Sequence, residues 1–190
     1  QPTLVQYGLL DNVDPGRFVD DLRGICNHKL GGFVGPYALT DIQPGQWIPE
    51  LRFELQFRNA QMVDQLVNEA MQLWAEQCPR KSSYLRSLNP IRFESTQLTG
   101  AIDLIFKLNE KWYIADYKSN RCREDATAPA LAEHFTEEAL LEEILSHHYP
   151  LQYVLYSLAL HQYLKLRLGT HYNYTEHFGG VCYLFLRGMT

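Results

Sequence analysis

Long apolar runs and paired cysteines are both missing from this sequence. No stretch of about 18 apolar residues, the length that crosses a bilayer, occurs in the chain, and no secretory leader opens it. The four cysteines, Cys26, Cys78, Cys122 and Cys182, show no CxxC spacing, which argues against a zinc site or a disulfide framework. We therefore expect a protein of the reducing cytoplasm without a membrane association.

An excess of positive charge is also absent. The chain carries 17 lysines and arginines against 22 aspartates and glutamates, a formal net charge of -5. A protein that coats DNA through electrostatics alone is usually basic, so this function class is disfavoured. An acidic chain can still act on DNA if metal ions supply the positive charge or a partner delivers the strand.

The length and composition are those of one globular domain. The chain has 190 residues, of which 46% are hydrophobic and 21% charged, enough for a single compact domain with its own core. It begins at Gln1 without a methionine and stops on the strand-like segment Val181–Met189. We therefore expect residues 1–190 to be one domain from a longer polypeptide.

The apolar periodicity predicts alternating strands and helices. The predicted strands are Leu51–Phe57, Gly100–Phe106, Trp112–Lys118 and Gly180–Leu186, and the predicted helices are Ala60–Gln77, Thr136–His147 and Pro150–Leu168. Residues 1–50 are rich in turn signals such as Asp14-Pro15-Gly16 and predict only short helices and loops. This order indicates an α/β fold with a central mixed sheet flanked by helices.

The strongest chemical pattern lies on the predicted hairpin. With the turn centred on Asn109-Glu110, Asp103 and Asp116 stand opposite each other, and Lys118 points to the same face. Facing carboxylates repel each other, and a divalent cation relieves that repulsion. Hard oxygen ligands favour magnesium or manganese. The lysine would orient or deprotonate a water, or stabilise charge on a phosphate.

A solvated surface hairpin is the alternative interpretation of these three residues. An isolated DxK pattern favours that alternative. Here both strands are otherwise strongly apolar: every residue of Ile102–Phe106 except Asp103 is apolar, and so is the segment Trp112–Ala115. Charges within such strands are harder to solvate. The pattern by itself leaves both interpretations open.

Three ordered motifs resemble those of the RecB-like branch of the PD-(D/E)xK nucleases. Gly100-Ala101-Ile102-Asp103 resembles its GxxD motif, and Asp116-Tyr117-Lys118 resembles its (D/E)xK motif. Gln152-Tyr153-Val154-Leu155-Tyr156 resembles the QxxxY motif on the following helix. The flanking stretches extend this resemblance from Gly100 to the chain end, and the first half matches loosely at Leu51–Phe57.

The resemblance implies a restriction-endonuclease-like fold and a role for each matched residue. Asp103, Asp116 and the carbonyl of Tyr117 would bind the metal, and Lys118 would be the catalytic lysine. Gln152 and Tyr156, four residues apart, share a helix face and would support the active site or hold the DNA. The implied activity is magnesium-dependent hydrolysis of DNA phosphodiester bonds, with manganese as a substitute metal.

The resemblance also implies a larger assembly. It indicates ATP-driven helicase domains elsewhere in the polypeptide, RecC-like and RecD-like partner subunits, and a bacterial cytoplasmic role in double-strand-break repair and recombination. None of that machinery lies in these residues.

One feature of the resembled family has no counterpart here. RecB-type domains usually carry a histidine on an N-terminal helix that completes the metal site, and His28, in a glycine-rich segment, is not a convincing match. We expect that helix to lie outside these residues.

The missing histidine keeps an alternative function open. This alternative is a nuclease-fold module that binds DNA or has a structural role without cutting, although intact Asp103, Asp116 and Lys118 argue against it. A phosphoesterase acting on small molecules is a second alternative.

Three further residues are weaker candidates. Glu54 alternates outward from a strand that could neighbour the hairpin, where it would approach the metal or a water on it; a solvated glutamate is the alternative. Arg121 and Arg123 follow the DxK strand and would meet phosphates, or would simply be solvated.

Overall fold

A four-stranded sheet with helices packed on it forms the centre of the molecule. The computed structural model describes residues 14–76, 79–88, 90–122 and 131–189. The strands are β1 (Trp47–Gln56), β2 (Gln97–Leu108), β3 (Lys111–Lys118) and β4 (Phe178–Phe185). The α-helices of these ranges are α1 (Pro15–Asn27), α2 (Ala60–Ala75), α3 (Pro79–Ser87), α4 (Glu137–Ser146), α5 (Tyr149–Leu168) and α6 (Tyr174–His177). None of them is both long and apolar enough to cross a membrane.

The sheet is mixed, as the sequence predicts. Its strand order is β1-β2-β3-β4, with two antiparallel pairs followed by the parallel pair of β3 and β4. Asn109 and Glu110 join β2 to β3 with φ of 48° and 65°, the left-handed conformation of a tight two-residue turn. Leu104 pairs with Ala115 and Leu108 with Lys111, which confirms the predicted register.

The parallel strand β4 requires a crossover, which α4 and α5 provide. Thr136 caps α4, where its hydroxyl accepts a hydrogen bond from the Ala139 amide at 3.2 Å. Pro150 lies in the first turn of α5, and Gly169 ends this helix with a φ of 56°. The predicted starts and ends of both helices are therefore confirmed to within one residue.

Apolar layers cover both faces of the sheet. On one face, α5 contributes Ala159, Leu160 and Leu164 to a cluster that includes Ile105 and Ile114 of the hairpin. On the other face, Leu104, Phe106 and Leu184 of the sheet pack with Val34, which belongs to the segment that follows α1. Val63, Val67 and Met71 bury one face of α2 against Val154 of α5. The end of the β2–β3 hairpin is thus fixed between α5 and the N-terminal segment.

The bounds of α1, within a region predicted to hold short helices, were not predicted, and neither was α3. The signal Asp14-Pro15 resembles a turn, but the Asp14 carboxylate accepts a hydrogen bond from the Gly16 amide at 2.9 Å as the cap of α1. Pro15 then occupies a first-turn position, where proline needs no amide partner. Pro79 likewise opens α3. The strand β1 also begins four residues before the predicted Leu51.

Replacing Gly179 with alanine is expected to destabilise the fold by about 1–3 kcal/mol, as overpacking of a core does. A Cβ at Gly179 would lie 2.3 Å from Cε1 of Tyr113. That ring is 5% exposed and stacks on Phe106 at 5.2 Å, so it has little room to move. The measurement is the free energy of unfolding in urea.

Gly24→Ala is the matched control. A Cβ at Gly24, in the middle of α1, meets no atom of the described residues within 4 Å, and alanine favours a helix by up to about 1 kcal/mol. Equal unfolding free energies for Gly179→Ala and the unmodified chain would contradict the packing argument.

Candidate active site

Asp103 and Asp116 meet where the β2–β3 ladder ends. The last backbone pair is Leu104 with Ala115, so the two aspartates take the next matching positions. The Asp103 Oδ2 accepts a hydrogen bond from the Tyr117 amide at 2.9 Å, and a side chain thereby replaces the backbone ladder. In an extended residue the amide and the carbonyl point to the same strand edge. The Tyr117 carbonyl therefore also faces the β2 side, where Asp103 lies.

Asp116 is a buried carboxylate with one incompletely satisfied oxygen. Only 2% of this residue is exposed. Its Oδ1 accepts a hydrogen bond from Nε2 of Gln152 at 3.1 Å, whereas Oδ2 contacts the Lys118 ammonium as an ion pair and has no well-directed hydrogen-bond donor among the described residues. Burial raises the pKa of the Asp116 carboxyl, and the charge of Asp103 adds to this effect while Lys118 opposes it.

The QxxxY residues lie against this carboxylate. Gln152 uses both ends of its amide, because Oε1 accepts a hydrogen bond from the Lys118 ammonium at 3.0 Å while Nε2 donates to Asp116. The same Nε2 lies 3.0 Å from the Tyr156 hydroxyl oxygen and donates to it. Gln152 therefore links the acid, the lysine and the tyrosine. Lys118 is largely enclosed, with 11% of its side chain exposed.

Glu50 lies opposite Asp103 in the β1–β2 register, and no pattern in the sequence identified it as a candidate. On β1, Pro49 pairs with Leu104 and Leu51 with Ile102, so Glu50 stands opposite Asp103. Its φ of 49° is left-handed, a strained conformation for a glutamate in a strand, of the kind that clusters at functional sites. No local sequence signal indicates that strain, and the β1–β2 register depends on residues far apart in the chain.

Two tyrosine phenols, those of Tyr117 and Tyr156, lie within the electrostatic influence of neighbouring carboxylates. Burial raises the pKa of Tyr156, and the charges of Asp116, Asp103 and Glu50 raise it further. Burial also raises the pKa of Tyr117, with added contributions from Asp103, Cys26 and Glu50. The charges of Asp103 and Glu50 therefore act on both phenols.

The donor set fits a hard divalent cation. Two aspartate carboxylates, a backbone carbonyl on the same side and a neighbouring glutamate are the oxygen ligands that magnesium prefers, and magnesium keeps part of its water shell. The incompletely satisfied Oδ2 of Asp116 is an anionic oxygen that such a cation would stabilise. No group of three or more His, Cys, Asp or Glu side chains within the described residues is arranged to hold a metal ion, so the two aspartates would need the Tyr117 carbonyl and water to complete such a site.

The remaining candidates lie apart from this set or cannot be placed. Glu54 pairs with Thr99 and accepts a hydrogen bond from Gln97 at 2.7 Å, on the part of β1 that leads away from Glu50. Arg121 is half-buried just after β3. Arg123 lies outside the described residues. His28 is exposed at the end of α1, two residues after Cys26.

Comparison with known proteins identifies relatives for this arrangement. A family profile for the PD-(D/E)XK nuclease superfamily matches residues 45–188. The RecBCD enzyme subunit RecB of Haemophilus influenzae is 37% identical over 170 residues, which are 88% of this chain and 13% of that protein. The RecB subunit of Escherichia coli is 45% identical over 102 residues, 53% of this chain and 8% of that protein. That of Buchnera aphidicola subsp. Schizaphis graminum is 35% identical over 168 residues, again 88% and 13%. The chain thus spans 8–13% of the length of these relatives.

Proposed function

Because the chain belongs to the PD-(D/E)XK nuclease superfamily and has its restriction-endonuclease-like α/β fold, we propose that it hydrolyses phosphodiester bonds of DNA with the help of magnesium. One observation carries the proposal: the buried carboxylate of Asp116 faces Asp103 at the end of the hairpin, and its Oδ2 pairs with the Lys118 ammonium. Carboxylates placed opposite each other repel, and a divalent cation would offset the repulsion that a single ammonium leaves.

Asp103, Asp116 and the Tyr117 carbonyl would hold the magnesium, with Glu50 beside them. When bound, magnesium polarises the scissile phosphate and lowers the pKa of an attacking water, and manganese is a chemically similar substitute. The Tyr117 amide fixes the orientation of the Asp103 carboxylate through its 2.9 Å hydrogen bond. Gln152 fixes that of Asp116 at 3.1 Å. Both carboxylates are therefore oriented before any ligand arrives.

Lys118 would supply a fixed positive charge to the reacting phosphate or orient the attacking water. Its ammonium pairs with Asp116 and donates to Gln152, so its position needs little rearrangement when charge develops. Charges fixed in advance at a partly dry site stabilise a transition state more than mobile ones do. Tyr156 would contribute a neutral hydroxyl beside the acids, because burial and their charges raise its pKa.

We further propose that the chain is the nuclease part of a RecBCD-like helicase–nuclease, since its relatives bear the name RecB. ATP would then be used by helicase domains outside these residues, and RecC-like and RecD-like subunits would be the partners. DNA would reach the acidic site with their help, which accommodates the net charge of -5. The expected setting is double-strand-break repair and recombination in the bacterial cytoplasm.

The test is cleavage of linear single-stranded and double-stranded DNA by the purified chain. We expect cleavage in magnesium, loss of cleavage when a chelator is added, and recovery with excess magnesium or manganese. A chromogenic phosphodiester of small size is assayed in parallel. DNA binding without cleavage under every metal would favour the non-cutting module, and faster turnover of the small ester than of DNA would favour the phosphoesterase.

A further inference from the structure

The rings of two tyrosines lie against the ammonium of Lys118. The Nζ of Lys118 lies 3.9 Å from the ring centroid of Tyr149 and 5.4 Å from that of Tyr183. Both distances are within the range of about 6 Å over which an aromatic face attracts a cation. The two rings stack on each other with centroids 5.3 Å apart. Tyr149 opens α5, and Tyr183 lies on β4 beside Asp116.

We propose that Tyr149 and Tyr183, the tyrosine clamp, position the Lys118 ammonium for the hydrolysis proposed above. The inference rests on that proposed function, in which Lys118 touches the reacting atoms and the tyrosines act through it. They are positioning residues, and nothing in the motifs that suggested the function assigns them a part.

The clamp is itself held by two hydrogen bonds, and a third fixes the asparagine that accepts one of them. The Tyr183 hydroxyl donates to the backbone carbonyl of Tyr149 at 2.7 Å, which joins the strand to the start of α5. The Tyr149 hydroxyl donates to Oδ1 of Asn120 at 3.1 Å. Asn120 in turn donates from Nδ2 to Glu143 of α4 at 2.9 Å. The rings therefore have fixed positions before the lysine is considered.

An aromatic face can attract the lysine ammonium without competing for a metal, whereas a third carboxylate would compete. It attracts the ammonium through the negative face of the ring and carries no formal charge or lone pair that competes for a metal. Binding of a cation at the Oδ2 of Asp116 would weaken its ion pair with Lys118, and the clamp and Gln152 would then keep the ammonium of Lys118 in place.

The first test needs neither metal nor DNA. In the metal-free chain, ring currents from the clamp should shift the ε-methylene protons of Lys118 upfield in a carbon–proton NMR spectrum. We expect Tyr149→Phe to keep this shift, because the ring remains and only the bond to Asn120 is lost. Tyr149→Leu should move the signal toward that of an ordinary lysine. The signal of Lys107, which pairs with Glu110 on the hairpin, should stay unchanged in every variant and serves as the control for folding.

The second test separates attraction to the ring from packing. Phenylalanines with zero, one, two and three ring fluorines are placed at position 149, since each fluorine weakens the negative ring face with little change in shape. We expect kcat for DNA cleavage to fall stepwise, by about 5- to 30-fold across the series, while KM stays constant. An ordinary Lys118 signal in the unmodified chain, or a kcat that does not respond to fluorination, would overturn the clamp. If the chain does not cut DNA, the NMR result still decides whether the clamp exists.

Discussion

Replacing Asp116 with asparagine is expected to reduce DNA cleavage by about 1,000-fold or more while leaving the chain folded, since a bound metal stabilises the transition state by several kcal/mol. Asparagine has nearly the same shape, and its Oδ1 can still accept the hydrogen bond that Gln152 donates at 3.1 Å. What disappears is the negative charge that would bind magnesium. The fold should survive because the penalty for burying this carboxylate, which raises its pKa, vanishes, and because the Lys118 ammonium keeps its hydrogen bond to Gln152 and its contact with the Tyr149 ring.

Two quantities are measured, the rate of DNA cleavage and the affinity for magnesium by calorimetry. Both should fall in Asp116→Asn. Asp64→Asn is the matched control, because Asp64 accepts a hydrogen bond from the Phe93 amide at 2.6 Å and serves α2 rather than the site. This control should cut at the rate of the unmodified chain. Magnesium binding that persists in Asp116→Asn would remove this residue from the metal ligands.

Replacing Lys118 with methionine is expected to lower kcat by about 100- to 1,000-fold, the effect of deleting one fixed group that stabilises transition-state charge. Methionine fills a similar volume in this enclosed position, where only 11% of the lysine side chain is exposed. The carboxylates and the Gln152 amide remain. Metal affinity should therefore persist, and KM for DNA should change far less than kcat.

Lys107→Met provides the comparison on the same hairpin. Lys107 pairs with Glu110 at 2.7 Å near the turn, four residues along β2 from Asp103, and its loss should leave kcat within about twofold, as for a substitution away from the site. A Lys118→Met variant that cuts within tenfold of the unmodified rate would show that the lysine has no part in the chemistry.

The hairpin could be predicted from sequence because its determinants are local. The Asn109-Glu110 turn fixes which residues face each other, and the register that follows from it is the one in the structure. That register brings Asp103 and Asp116 together. Similarly, the four-residue spacing of Gln152 and Tyr156 places both on one face of α5, and both contact the site. The chemical roles assigned to these residues stay predictions.

Glu50 and the tyrosine clamp could not be predicted because they depend on pairings between distant segments. The two helices α2 and α3 separate β1 from β2, so no local pattern shows that Glu50 stands opposite Asp103. Tyr149 and Tyr183 meet only when α5 crosses the sheet and β4 pairs with β3. The bounds of α1 were missed for a different reason: Asp14-Pro15 begins helices as well as turns, and none of the residues of α1 is buried.

The parallel pairing of β3 with β4 also sets the order in which the molecule can assemble. Contacts between neighbours in sequence form before those that close long loops, so the β2–β3 hairpin can bring Asp103 and Asp116 together early. The groups that hold Lys118 arrive only after the chain has passed through α4 and α5 and returned as β4. The candidate active site is therefore expected to join early and late contacts of folding, and a hairpin that already carries Asp103, Asp116 and Lys118 is not yet a catalyst.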